Sequence, residues 1–434
     1  MINTRARSVR LVSGLAGLAL VAAACGGGGD STEETTTLPP ETTTTTTTEP
    51  AETTTTSTTE APETTTTEAV VEEPLRQPLT GEVVGDEAEL VTRPALAVKI
   101  DNADGARRNH TGLAVADIVF EEIVEAGITR FAAVFHTNDA DPIGPIRSGR
   151  SQDVDILSSL DEPLFAWSGG NPGVTRLIRE SFLTDLNWQR NAGSYQRGPG
   201  STPHNLYSDT GQLYALTPED HPGAPPQQFE YLLPGDEFEG EPVASFDLAL
   251  RNRDATWDWD AEAGTFARTM DGEPHIDKTY GPITAKNVIV LVTEYRPSAI
   301  DRNSPEAQTI GSGPAYIFSD GQVVAARWER GLSVAPFTLT SIDGDPIQLN
   351  PGNTWVELAE YTNDPDGPGS FIIGKEAYLE YREAQASDDP PEKIFPVDID
   401  LDDPEAAPTE ISIVFAENTD DADAPSDTTV DTEA

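Results

Sequence analysis

Two arginines three residues apart, Arg147 and Arg150, stand in the run Ile143-Gly144-Pro145-Ile146-Arg147-Ser148-Gly149-Arg150. A guanidinium is a planar fork of N–H donors that matches a carboxylate or a phosphate. With Ser148 at the entrance to a helix, the pair would add to free backbone N–H groups and the positive end of the helix dipole. In a chain of net charge −48, such a local positive site is a candidate anion receptor. The same side chains equally suit ion pairs with acids at the edge of a core.

Further candidates lie on either side. Residues 118–124 and 129–136 read as a hairpin turning at Ala126-Gly127. A two-residue turn there sets Arg130 opposite Ile123 and diagonal to Glu121, with Phe131, Ala133 and Phe135 on the other face. Glu121 and Arg130 then form either a salt bridge within the sheet or one wall of a site. Downstream, Pro203-His204-Asn205-Leu206-Tyr207 follows the loop Arg197-Gly198-Pro199-Gly200. Histidine as a residue type titrates near neutral pH and could shuttle a proton here, yet no Ser or Cys near position 204 reads as a nucleophile. Beside Asn205 it also suits a structural hydrogen-bonding role.

Most enzyme classes lose their signature here. No H-E-x-x-H, C-x-x-C, G-x-S-x-G, S-x-x-K or Walker-type loop occurs, and the five His are scattered at 110, 136, 204, 221 and 275. Thr362 and Ile373 occupy positions where a calcium loop around Gly367 needs acids, so residues 363–367 read as a turn. Neither a metal nor a cofactor is expected.

The elements that must position these residues occupy the middle of the chain. Residues 1–24 carry Arg5, Arg7 and Arg10 and then an uncharged apolar stretch, which describes a signal peptide. The run Val21-Ala22-Ala23-Ala24-Cys25 resembles the lipobox of bacterial lipoproteins, and Cys25 is the sole Cys of the chain. That resemblance implies lipidation of Cys25 and an extracytoplasmic, membrane-anchored protein. Residues 25–75 form a Thr/Glu/Pro linker with almost nothing to bury. Residues 76–235 alternate strand and helix signals: a strand over 96–100, the hairpin, and helices over 148–160 and 173–183. A seam rich in Pro and Gly, 218–242, leads to residues 236–360, where strands dominate. The expected fold is therefore an α/β domain, a mixed sheet with helices, followed by a mostly β domain. An extension over 361–417 and an acidic tail over 418–434 complete the chain, with 411–416 read as one more strand. So acidic a protein will not track a nucleic-acid backbone.

Several of these motifs stand together in a known family. Arg93-Pro94-Ala95-Leu96-Ala97-Val98, Ala116-Asp117-Ile118-Val119-Phe120-Glu121, Gly127-Ile128-Thr129-Arg130-Phe131, the 143–150 run and Pro203-His204-Asn205-Leu206-Tyr207 resemble the YerB-like lipoprotein family. The stretches 280–292 and Gly352-Asn353-Thr354-Trp355 are similar to that family's C-terminal domain. The resemblance implies a two-domain extracytoplasmic lipoprotein and supplies no reaction. Family members commonly carry a second Gly where Ala126 stands, so this hairpin turn is less free to take positive φ.

Three functional readings follow. The first is a non-catalytic envelope protein that binds an anionic ligand or a partner, such as cell-wall polymer or an envelope protein. Its pocket would hold Arg130, Arg147, Ser148, Arg150, His204 and Asn205, with Glu121 orienting. The second is a cell-wall hydrolase pairing His204 with Glu121 or Asp117. The third is a structural scaffold.

Overall fold

The computed structural model describes residues 74–361 and the backbone of 411–415. Cys25, the spacer through residue 73, the 363–367 turn and the 418–434 tail lie outside the described residues.

The first half holds strands β1 (Leu96–Asp101), β2 (Ile118–Ile123), β3 (Thr129–Phe135), β4 (Leu164–Ala166) and β5 (Thr184–Asp185). Its helices are α1 (Gln152–Leu157), α2 (Pro172–Glu180) and α3 (Thr210–Tyr214). The second half is mostly strand: β6 (Glu241–Ala249), β7 (Asp254–Asp260), β8 (Thr265–Met270), β9 (Asn287–Thr293), β10 (Gly311–Ser319), β11 (Gln322–Arg330) and β12 (Thr354–Glu360). A last strand, β13 (Ile411–Phe415), pairs antiparallel with β6. The chain thus has an α/β half with few helices and a β half, as its strand and helix signals predict.

These strands join into one sheet, ordered β8-β7-β6-β11-β10-β9-β12-β2-β3-β1-β4-β5 along its main path. The junction is β12, which runs parallel to β9 on one side and parallel to β2 on the other. Residues of β9 are buried at every position, which explains the unbroken apolar run Val288 to Val292 in place of alternation. At the outer edge β6 and β7 alternate instead: Val243, Phe246, Leu248 and Trp257 are buried while their neighbours face out.

Two apolar layers cover the two faces of the sheet, and each draws on both halves. One contains Val119, Phe131, Phe135, Phe246, Trp257 and Trp355. The other contains Phe120, Val134, Ile156, Trp167, Ile289 and Val356. Burying each such side chain stabilises the fold by roughly 1.5–3 kcal/mol, so the two domains depend on each other for much of their core.

Three local readings need correction. The predicted helix over 148–160 starts only at Gln152, with a 3-10 turn over Ser158–Leu160. Arg147 cannot enter it, because its N–H donates to the Lys99 carbonyl at 2.8 Å and its carbonyl accepts from Ser168 N at 2.9 Å. Ser151 caps nothing; its hydroxyl meets that of Ser298 at 2.7 Å. The hairpin register also differs. A five-residue connection, 124–128, sets Glu122 opposite Arg130 and Ile123 opposite Thr129. Glu121 therefore shares its face with Phe131, not with Arg130, since a shift of one residue exchanges the faces. Ala126 does take positive φ, at 62°, beside Gly127 at 67°.

Candidate functional site

The most organised polar cluster of the first half forms where β1 ends. Asp101 carries a side chain only 1% exposed, and one of its oxygens serves two partners. His204 Nδ1 lies 2.6 Å from Asp101 Oδ2, and Arg147 Nε lies 3.1 Å from the same atom. The imidazole fits because residue 105 is glycine: a Cβ there would meet His204 Cδ2 at 3.1 Å. A tight turn in which His204 N donates to the Ser201 carbonyl fixes the loop. Among the described residues no hydrogen bond uses His204 Nε2 or the two Nη atoms of Arg147.

Arg130 lies under this cluster, 5% exposed, on the same face as Asp101 and directly opposite it in the β1–β3 ladder. Its Nη1 donates to the Ser148 carbonyl at 2.9 Å. Burial, aided by the charges of Arg150 and Arg147, pushes the Arg130 guanidinium down to about 10, so it stays cationic at neutral pH. Arg150 is itself engaged, with Nη2 at 2.5 Å from Glu125 Oε2 and Nη1 donating to the Gly149 carbonyl at 2.8 Å. Asn205 Oδ1 accepts from Arg197 Nη1 at 2.9 Å, and the Arg197 guanidinium stacks 4.8 Å over the Trp188 ring.

A pocket of about 400 Å³ opens here, lined by Arg147, Ser148, Arg150, Arg197, Trp188 and Asn171, among others. Asn171 is the N-cap of α2 and accepts from Val174 N at 2.9 Å, so the positive end of that helix faces the cavity. The helix that the sequence placed beside Arg147 is thus replaced in this role by the next one. Asp301 puts a carboxylate on the rim and accepts from Asn171 Nδ2 at 2.8 Å. The pocket walls have the chemistry of an anion site: three guanidiniums, a helix N-terminus and an aromatic ring.

Of the residues singled out in the sequence, Arg147, Ser148 and Arg150 line this pocket, and Arg130, His204 and Asn205 buttress it. Glu121 does not belong to it. On the opposite face of the sheet Glu121 pairs with Arg268 at 2.6 Å and accepts from Thr129 Oγ1 at 2.6 Å. Asp117 is elsewhere too: its carboxylate accepts from His136 N, Thr137 N and Asn138 Nδ2 and so fixes the turn after β3. Neither carboxylate is near enough to serve His204; Asp101 takes that place. Sequence reasoning missed Asp101, Arg197 and Trp188, although Arg197 stands in the Gly/Arg loop noted above.

Behind Glu121 runs a buried relay that links the halves. Arg268 Nη1 donates to His275 Nδ1 at 2.8 Å, His275 Nε2 meets His110 Nδ1 at 2.8 Å, and His110 Nε2 meets the Asp101 carbonyl at 2.7 Å. An arginine can only donate, so each ring must accept at Nδ1 and donate from Nε2–H. Burial, opposed by the Asp101 contacts, lowers His110 to about 4, while burial and the Arg268 charge move His275 well below its ordinary value. Both rings are neutral at pH 7. Arg268 also approaches Glu357, whose carboxyl burial and the neighbouring Glu121 charge hold well above the usual range.

Residues 79–223 match the family described as "Protein of unknown function (DUF3048) N-terminal domain", and residues 245–356 match the corresponding C-terminal domain. The chain belongs to this YerB-like two-domain family. Over 296 residues it is 26% identical to "Putative lipoprotein YerB" of Bacillus subtilis (strain 168), covering 65% of this chain and 86% of that one. The crystal structure of the YerB protein from Bacillus subtilis shares the fold, with a TM-score of 0.57 and 22% identity over 65% of this chain and 96% of that chain. Every residue lining the pocket falls within the two matched segments, all but Asp301 in the N-terminal domain and Asp301 in the C-terminal one.

Proposed function

We propose that this chain is an extracytoplasmic lipoprotein, anchored through Cys25, whose pocket at Arg147, Arg150 and Arg197 holds an anionic ligand without transforming it. The observation that carries this reading is the convergence of three arginines and the α2 N-terminus on one cavity of about 400 Å³ in so acidic a chain. The anchor rests on the lipobox-like run before Cys25 and on the name of the Bacillus subtilis relative. Outside a bacterial membrane, cell-wall polymer is an abundant source of carboxylates and phosphates.

Arg147 and Arg150 also make ion pairs, so their replacement perturbs the fold as well as the pocket. Arg197 is the cleaner probe, because it is exposed and its side chain, among the described residues, engages only Asn205 and Trp188. A thermal-shift series with inorganic phosphate, wall fragments and dicarboxylates tests the reading. A ligand present at 100 times its Kd stabilises by roughly 2.7 kcal/mol. That rise is expected in wild type and reduced in Arg197→Ala, whose unliganded melting point is unchanged. Equal shifts in both proteins, or none in either, overturn the reading. Labelling with a radioactive fatty acid, lost in Cys25→Ser, tests the anchor.

One observation favours a second reading, hydrolysis by His204. Asp101 orients Nδ1 at 2.6 Å and, among the described residues, Nε2 has no hydrogen-bond partner, as a general base requires. Release of reducing ends from wall polymer by wild type but not by His204→Gln would support it.

A further inference from the structure

Three ionisable side chains that the anion pocket does not use meet inside the first half: Lys99 of β1, Glu122 of β2 and Asp153 in the first turn of α1. The side chains of all three are 0% exposed. Lys99 Nζ lies 2.7 Å from Asp153 Oδ1 and also donates to Glu122 Oε1. The sequence makes this meeting reachable. Between β1 and β2 lies β3, and there Ala132 stands opposite both Lys99 and Phe120. Its methyl leaves the lysine stem a path across the strand toward Glu122. Phe120, Ile156, Leu157 and Trp167 belong to the apolar layer on this face, so no bulk water solvates the three groups.

Such a cluster is poorly suited to remain ionic. One ammonium faces two carboxyls in an apolar interior, and Glu122 Oε2 has no hydrogen-bond partner among the described residues. Burial and the Asp153 charge push the Glu122 carboxyl up to about 7, which makes it able both to hold and to release a proton. The far oxygen of Asp153 is held separately: Arg150 N donates to Oδ2 at 2.6 Å. An amine, a carboxyl and a proton carrier are thus in contact, with a backbone donor on the oxygen where negative charge would build during attack.

We propose that Lys99 and Asp153 are joined by an intramolecular isopeptide bond, formed within the folded chain with Glu122 as the proton carrier. Nζ attacks Cγ of Asp153, the Nζ–Cγ bond forms and the Cγ–Oδ1 bond breaks. The ammonium gives up two protons in turn through Glu122, and both leave on Oδ1 as one water. Glu122 ends as it began, and no oxidant or reductant takes part. Two buried charges are replaced by a neutral amide, which removes the electrostatic cost of burying them. The bond would tie β1, the middle strand of the first half, to α1, directly beneath the Arg150 wall of the pocket. It would also give an extracytoplasmic chain whose sole Cys is Cys25 a covalent cross-link that does not depend on disulfides.

The test is tandem mass spectrometry of the purified full-length chain after protease digestion. The expected result is a branched peptide joining Lys99 to Asp153, lighter than its two components by one water, with no cleavage by trypsin after Lys99. Lys99→Arg keeps the charge and abolishes the branched peptide. Glu122→Gln keeps the side-chain shape and slows its formation after refolding by about 100-fold. Two separate linear peptides of full mass in the folded wild type overturn the proposal, whatever the variants do. So does a branch to Glu122, which would make that residue the acceptor.

Discussion

His204 and Asp101 are separated by 103 residues in sequence, yet His204 Nδ1 lies 2.6 Å from Asp101 Oδ2. Arg147 Nε lies 3.1 Å from the same atom as an ion pair, so one nearly buried oxygen organises both the imidazole and the nearest pocket arginine. Asp101→Ala should therefore cost about 1.5–3 kcal/mol, the range for hydrogen bonds to a charged group. His204→Gln, removing a side chain 24% exposed, should cost about 1 kcal/mol or less. Urea unfolding of the two variants checks the order; a larger loss at His204 would show that Asp101 is not the organising group.

The histidine relay fixes a second expectation, on pH. His110 sits at about 4 in the folded chain, below its ordinary value of 6.5. The unfolded chain then takes up the proton first as pH falls, so this group's contribution is complete above about 6.5 and is lost on descending toward about 4. The loss amounts to about 3 kcal/mol. Asp117 works the other way, because burial raises it to about 6 and the folded state gains a proton in the same window. Wild-type stability alone will not separate the two. The difference between wild type and His110→Gln, followed from pH 7 to pH 4, should move steadily against wild type. A constant difference would mean that His110 does not change protonation on unfolding in this range.

Much of the framework was legible because it is local. The strand at 96–100 and the strands of the hairpin show in composition and periodicity, and each forms within a residue or two of its expected bounds. Arg147, Ser148 and Arg150, close together in sequence, also lie together on one pocket. What failed depends on geometry that no short window encodes. The connection of five residues in place of two moved Glu121 to the far face, where Arg268 of the other half awaited it. The partnership of Asp101 with His204, and the parallel insertion of β12 beside β2, join segments far apart in the chain. Periodicity carries no signal for either.

The hairpin turn yields a third expectation. Ala126 at φ 62° pays for a left-handed conformation with its Cβ, at a cost of about 1–2 kcal/mol. Glycine would relieve that strain and lose part of the gain to its freer unfolded chain. Ala126→Gly should raise stability by about 0.5–1 kcal/mol. Gly127→Ala should lower it, since φ is 67° there and the new Cβ would meet Asn252 Nδ2 at 2.7 Å. Thermal melts of both single variants decide; a stabilised Gly127→Ala would contradict the turn geometry.

Arg268 gives the largest expected effect on stability. Its guanidinium is 1% exposed and pairs with Glu121 at 2.6 Å, lies 3.8 Å from Glu357, and donates to His275 at 2.8 Å. Three aromatic rings surround it, the nearest being Trp355 at 5.0 Å. Removing it leaves two carboxyls buried without a cation and takes away the donor that fixes the tautomers of His275 and His110. Breaking a buried ion pair from one side costs about 3–5 kcal/mol, so Arg268→Ala should unfold at much lower urea. Arg268→Lys should recover only part of this, because an ammonium cannot reach Glu121 and His275 with the same planar fork. Gln at both 121 and 357 in the Arg268→Met background should restore more stability than lysine does, since neither amide needs the cation. If the triple variant is instead no better than Arg268→Ala, the two halves are held by shape at this junction and not by charge.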